Sequence, residues 1–232
     1  MKRLFNFKLA LPLLALLVVV GISPAANADP LLPGGLQAGP IANLNGSGPG
    51  VLLANLATQT LNGVDTTGVT TFTASFTTAV YRNAGGTLDF YYQFSNSAGS
   101  ADELRRLTAS SFAGFTTDVF FRNDGGTLGL GFVNGTENSL TIDRSGGSGA
   151  VVGFLFPNAT GQSIAPGETS LTFVIRTNAT NFRPGSASVI DGATADFNAF
   201  APANVPEPTS MVLLGSGLIG LAGAARRKFR KN

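Results

Sequence analysis

Two stretches of strict alternation on either side of a glycine turn constrain this chain more than any other feature. Thr71–Tyr81 sets Phe72, Ala74 and Phe76 against Thr71, Thr73, Ser75 and Thr77. A period of two places one face of a strand in a core and the other toward water. Asn83-Ala84-Gly85-Gly86 follows, rich in residues that tolerate a positive φ. Thr87–Phe94 then resumes the pattern, with Leu88, Phe90, Tyr92 and Phe94 on one face and Thr87, Asp89, Tyr91 and Gln93 on the other. The spacing predicts a β-hairpin with Tyr91 as its solvent-facing ring.

The same phrase returns about 40 residues later. Phe76–Val80 matches Phe115–Val119, and Tyr81–Leu88 matches Phe121–Leu128, so that Arg82-Asn83-Ala84-Gly85-Gly86 is answered by Arg122-Asn123-Asp124-Gly125-Gly126. The offset changes from 39 to 40 between the two halves, which leaves one extra residue, Phe120 or its neighbour. An extra residue reverses every later side chain unless a β-bulge absorbs it, and a bulge is expected here. Two copies are too few for a solenoid. They predict two similar hairpins, with Leu88, Phe90, Leu128 and Leu130 facing one core.

Further short segments extend the pattern. Val51–Leu61 fits helix or strand by periodicity, and its threonines and following turn residues favour strand. Ser139–Asp143, Val151–Phe156, Ser170–Thr177 and Ser186–Ile190 are strand candidates, the third with Leu171, Phe173 and Ile175 on one face. Pro157–Gly161 and Ala165–Glu168 punctuate them. Ser95–Ser100 reads as a loop, and Asp102–Leu107 as the one charged cluster. The expectation is an all-β fold, a single antiparallel β-sandwich of jelly-roll-like or immunoglobulin-like type over residues 51–198. Residues 29–50 read as an extended Pro/Gly/Asn arm and 199–204 as a stiff Pro/Ala linker.

Both ends of the chain read as targeting segments. Lys2, Arg3 and Lys8 precede an apolar run from Leu9 to Ile22, and Ala26-Asn27-Ala28 before Asp29 has the small-x-small form that signal peptidase cleaves. At the other end, Val205-Pro206-Glu207-Pro208 leads into an apolar run from Met211 to Ala225. Arg226, Arg227, Lys228, Arg230 and Lys231 close it. The apolar run spans about 22 Å as a helix at ~1.5 Å per residue, and about 27 Å counted from Pro208, just short of a ~30 Å hydrocarbon core. Gly215, Gly217, Gly220 and Gly223 weaken that helix further. The basic end stays cytoplasmic under the positive-inside rule, which places the rest of the chain on the outer side.

A proline-kinked polar motif, a marginal span and a basic stop resemble the PEP-CTERM sorting signal of Gram-negative bacteria, over residues 205–232. The resemblance implies an exported precursor held in the inner membrane by its C-terminal helix. An exosortase that recognises Pro206-Glu207-Pro208 then processes it, and the mature form reaches the cell surface or the extracellular space. It also implies company with exopolysaccharide or biofilm. The body is only loosely similar to the β-rich, Thr/Phe-patterned domains of such substrates, and no functional residue carries over from them.

Removing both ends changes the charge argument. Asp29–Pro206 holds seven arginines, no lysine and twelve acids, a net of −5. A basic nucleic-acid footprint is absent. There is no histidine and no cysteine anywhere. That removes Ser-His-Asp and Cys-His catalysis, imidazole zinc sites and thiolate chemistry, and the lack of mature lysine removes Schiff-base routes. Carboxylate chemistry remains. Asp89, Asp102, Glu103, Asp118 and Asp124 are the candidates for a glycoside-hydrolase pair, although Asp102 and Glu103 beside Arg105 and Arg106 read as a solvated charge network.

Calcium is the metal that hard oxygen ligands would suit, at Asn123-Asp124-Gly125 or Asp191-Gly192. No Asp-x-Asp-x-Asp spacing occurs, however, and these sequences read as turns. Asn134-Gly135-Thr136 and Asn158-Ala159-Thr160 match a glycosylation sequon of low specificity. Ser145–Gly149 lacks the Lys-Ser/Thr of a phosphate loop and reads as a connector. The expectation is a non-enzymatic protein without metal or cofactor, whose partners are signal peptidase and exosortase during export and exopolysaccharide afterwards. The leading alternative is a carbohydrate-binding module using Tyr91.

Overall fold

The computed structural model describes residues 29–38, 41–156, 163–204 and 216. Thirteen strands run in chain order: β1 (Asp29–Pro30), β2 (Leu36–Ala38), β3 (Ala42–Asn43), β4 (Val51–Val64), β5 (Thr70–Arg82), β6 (Leu88–Asn96), β7 (Arg106–Ala109), β8 (Thr117–Arg122), β9 (Thr141–Arg144), β10 (Val152–Leu155), β11 (Thr172–Thr177), β12 (Asn181–Asp191) and β13 (Ala193–Ala203). They form one continuous sheet in the order β1-β8-β11-β6-β5-β4-β13-β12-β7-β10-β9-β2, with β3 lying parallel to β8. The all-β class is as expected, and the sheet is curled, with β1 and β2 as its two edges.

The curl follows from the sequence pattern. Phe72, Phe76, Phe90, Tyr92, Phe94, Phe154, Phe156, Phe173 and Phe197 all belong to one buried cluster. Phe154 on β10 stacks on Phe173 on β11 at 4.4 Å, and Phe76 on β5 meets Phe197 on β13 at 5.2 Å. The two arms of the sheet therefore face one another across a phenylalanine core. At roughly 1.5–3 kcal/mol per buried ring, this is the main force curling the sheet. The turn of the curl is β4–β13, whose ladder reduces to Thr194 opposite Val64. Further along, the Gln59 side chain spans the gap, accepting from Asn198 N at 3.0 Å and donating to Asn198 O at 2.7 Å.

The first hairpin forms as the alternation predicts. Arg82 pairs with Leu88 and Phe76 with Phe94, around a turn in which Gly86 takes φ +83°. Leu88, Phe90, Tyr92 and Phe94 face the core. Leu171, Phe173 and Ile175 share that core, as their spacing implied.

The second copy does not form a hairpin. β8 pairs with β11 in unbroken register from Thr117–Thr177 to Arg122–Thr172, so Phe120 is not bulged. The register shifts lie instead in the β4–β5 ladder. After Asn123 the chain makes a 3-10 turn at Gly125–Leu128 and then a loop in which Gly129, Leu130 and Gly131 all have positive φ. Gly129 and Gly131 stand where the first copy has Asp89 and Tyr91. Glycine at alternate positions removes the side chains that hold a strand in a sheet. Leu128 and Leu130 consequently pack against a second, outer cluster of Leu44, Ala79, Tyr81, Tyr91, Phe120, Phe132 and Val174, rather than beside Leu88 and Phe90.

Three other expectations are corrected. The 29–50 arm is folded: Leu31, Ile41 and Leu44 are buried, and β1, β2 and β3 pair with the sheet. The 199–204 linker is the end of β13, with Ala199 and Ala201 buried. Tyr91, expected at the surface, is 1% exposed, because the loop after Gly125 folds back over the outer face of the sheet. Gln93 fixes that loop, donating to Val133 O at 2.8 Å and accepting from Val133 N at 2.9 Å. A face of Asp89, Tyr91 and Gln93 reads as solvent-facing by alternation, yet each of these side chains is buried against a specific partner.

Candidate functional site

The outer face carries Asp89 and Asp124, two of the five carboxylates that the sequence offered for chemistry, while Asp118 on β8 stands opposite Arg176 in the β8–β11 ladder. Asp89, on β6, is 1% exposed. It accepts from Arg176 Nε at 2.9 Å, Arg176 Nη2 at 2.8 Å and Asn83 Nδ2 at 2.7 Å. The same Arg176 lies 4.9 Å above the Phe120 ring, a cation–π contact on a desolvated face. Asp124 accepts from Arg122 Nε at 2.9 Å and Nη2 at 3.0 Å, and Arg122 donates further to Ser47 O at 2.8 Å. The hydrogen bonds from Arg122 hold the Asp124 carboxyl below the usual carboxylate range.

Tyr91 sits between these pairs, 4.8 Å from Tyr81 and 6.4 Å from Phe132. Burial pushes its phenol up to about 12, the Asp89 charge adds to this, and Arg122 opposes it. Fork-shaped arginine–carboxylate contacts of this kind are strong and directional. Through them Asp89 ties β6 to β11, and Asp124 ties the loop after β8 to Arg122. Tyr91, enclosed by rings on both sides, offers no stacking platform to a sugar.

At one end of the molecule a shallow cleft of about 430 Å³ is lined by Ala101, Asp102, Glu103, Arg105, Pro166, Asp191 and Gly192. Arg105 bridges Glu103 at 2.8 Å and Asp191 at 3.1 Å, and Ser163 Oγ donates to Glu103 at 2.7 Å. This is part of the charge network expected around Asp102–Arg106, joined by Asp191; Arg106 leaves it for β7, where it pairs with Asp143 at 2.8 Å. Burial raises the Asp191 carboxyl, Arg105 lowers it, and Asp102 and Glu103 raise it again. Among the described residues no group of three carboxylates is arranged to hold a metal ion. Asn123, proposed with Asp124 as a calcium ligand, instead meets the Asn45 side chain. Ser145–Gly149 is the connector between β9 and β10, as expected.

The opposite end carries Asp29, where β1 begins, and Asn204, just after β13. A cleft of about 590 Å³ lined by Ser110, Ser111, Ala113, Phe115, Arg183 and Pro202–Asn204 lies where β13 finishes. A second, of about 570 Å³, is lined by Pro30–Pro33, Phe115 and Thr116, so Phe115 borders both. Arg144, 4% exposed, holds this end together. It donates to Leu31 O at 3.1 Å, Phe112 O at 2.9 Å, Phe115 O at 2.8 Å and Gly149 O at 2.8 Å. Burial lowers its pKa, but a guanidinium keeps its proton at any physiological pH. These backbone carbonyls replace the water it has lost.

Asp29, the first residue after the expected signal cleavage, opens β1. Ala26 and Ala28, the motif Val205–Pro208 and the basic residues Arg226, Arg227, Lys228, Arg230 and Lys231 lie outside the described residues. So does the apolar run between motif and basic end, apart from Ser216, which is helical. Among the described residues no helix is long and apolar enough to cross a membrane.

What the geometry defines is a curled β-domain whose last strand hands the chain directly to a C-terminal segment. Residues 204–228 of that segment match the family model of the PEP-CTERM protein-sorting motif. The chain thus carries a sorting motif that marks it as an exported, exosortase-directed protein with a membrane-anchored precursor. No curated protein matches the chain.

The clamps Arg176, Arg122 and Arg144 escaped sequence reasoning. Arg176 meets Asp89 across 87 positions and Arg144 meets Leu31 across 113, and no local pattern encodes such pairs. The available signal was indirect. Seven arginines and no lysine in a mature domain favour forked, partly buried contacts, which a guanidinium makes better than an ammonium.

Proposed function

We propose that this chain is a non-enzymatic cell-surface or extracellular-matrix protein, processed by an exosortase at the inner membrane and retained among exopolysaccharide in a biofilm. One observation carries the reading: the sorting motif begins at residue 204, one position after β13 ends at Ala203. Trimming the tail beyond that point leaves every strand of the curled, sandwich-like sheet in place, so release costs the domain nothing. The non-enzymatic part is supported by composition, since histidine, cysteine and mature lysine are all absent. The arginine clamps on Asp89 and Asp124 support it further. The Tyr91 sugar platform has no observation in its favour.

The test replaces Pro206-Glu207-Pro208 with alanines in the producing cell. Precursor should accumulate in the inner membrane and the surface form should fall by an order of magnitude. Unchanged surface yield would overturn the exosortase reading. A polysaccharide pull-down with the wild-type surface form tests the matrix part: retention is expected, and none would contradict it.

A further inference from the structure

The strand registers sort the two ends of the domain into poles of different chemistry. One pole holds the turn Asp65–Val69, the loop after Asn96 and the β12–β13 turn at Asp191–Gly192. It carries Asp65, Asp102, Glu103, Glu137, Glu168 and Asp191, half of the twelve mature acids, with Arg105 among them. The other pole holds the start of β4, the β5–β6 turn, the start of β8 and the end of β13. Its exposed charges include Arg82 and Arg183. Asp118 lies there half-buried.

Two of the three most exposed large hydrophobic residues described also lie at the second pole, Leu32 at 70% and Val51 at 65%, whereas Leu36 at 69% lies on the flank, its ladder running through Asp143, Gly153 and Thr108 to Ser188. Val51 stands opposite Arg82. Leu32 borders the cleft shared with Phe115. Asp29 and Asn204, which border the two terminal segments, lie at this same pole.

We infer that this apolar and arginine-bearing pole is a membrane-contact surface, resting on the lipid headgroups of the precursor's own bilayer. The inference rests on the sorting reading above. From Asn204 to Met211 is seven residue steps, at most about 25 Å of extended chain, so a tail inserted from Met211 onward keeps the pole close to the lipid. The acidic pole is then held away, since β13 alone is 11 residues long, about 35 Å of strand. Exposed leucine and valine enter the interfacial layer favourably, and exposed arginines pair with anionic headgroups. Once the tail is cut this tether is lost and the domain leaves the surface.

The chain has no cysteine, which makes the test direct. Leu32→Cys, Val51→Cys and, at the acidic pole, Val69→Cys (58% exposed in the native protein) are made singly in the precursor expressed with both targeting ends. Each is purified from membranes, labelled with a polarity-sensitive dye and reconstituted into phosphatidylethanolamine–phosphatidylglycerol vesicles carrying a headgroup nitroxide. Quenching at 32 and 51 should exceed that at 69 at least threefold. Equal quenching at all three positions, with the protein floating alongside the vesicles, would overturn the proposed orientation and leave the sorting reading intact. Failure to float would overturn the sorting reading and the membrane contact together.

Discussion

Residues 76–88 and 115–128 repeat one phrase and do opposite things with it. In the first copy Val80 faces the core, Tyr81 the outer cluster, and Arg82 is exposed. In the second, Val119 faces the core and Phe120 takes the outer place that Tyr81 has in the first. Phe121 then returns to the core side, and Arg122 arrives on the outer face, 3% exposed. One inserted residue, passed through the ladder without a bulge, has turned a solvated arginine into a buried clamp. The turns that follow diverge in turn. Asn83–Gly86 reverses the chain into β6, whereas Asn123–Gly126 enters a loop that folds over Tyr91 and is fastened by Arg122 and Gln93. Similar words thus produce a hairpin where two strands can continue, and a lid over that hairpin where glycines prevent it.

The comparison can be broken most forcefully at the rings on either face of β6. Phe90→Ala should cost about 3–5 kcal/mol, the range for a buried aromatic. Tyr91→Ala should fall in the same range, because the second copy buries it. Chemical denaturation of both variants measures this, and a Tyr91→Ala loss below 1 kcal/mol would mean that the lid does not cover the ring.

The arginines sharpen the contrast next. Arg122→Ala leaves Asp124 without its fork and should destabilise by about 1–3 kcal/mol. That lies below the ~3–5 kcal/mol typical of a broken buried pair, because Asp124 keeps some solvent contact. Arg82→Ala, at the matching position of the first copy, should stay within about 0.5 kcal/mol. Equal costs would mean that the two arginines share one environment, contrary to the transposed register.

The smallest effect is one of pH. Asp124 has its folded pKa depressed by the Arg122 hydrogen bonds. Its contribution is therefore complete above the unfolded value of about 4 and is lost as pH falls through the lower folded value. Asp124→Asn should flatten the acid limb of the stability profile below about pH 4. An Ala84→Asn control in the first copy, which has no carboxylate there, should leave that limb unchanged.

What could be read from the chain alone follows the range of each interaction. β5 and β6 were legible because their pattern is local: alternate apolar residues and an Asn-x-Gly-Gly turn. β13 was not, since Ala193–Ala203 buries small alanines on one face and resembles a linker in composition. β7 was hidden in the charged cluster, where Arg106 forks onto Asp143 at 2.8 Å from 37 positions away. The outer face was misassigned because alternation distinguishes apolar from polar positions. It cannot distinguish a polar group facing water from one facing a distant partner. At the C-terminal segment the converse holds: the sorting motif was legible from residue types and order alone, and residues 204–228 match its family model.

That contrast leads to the measurement that bears most directly on the account. Surface-released protein is collected from the producing cell and its intact mass determined. The account predicts a chain that begins at Asp29 and lacks the whole segment from Met211 to Asn232, with all thirteen strands retained. A mature form that still carries Arg226–Asn232 would contradict it.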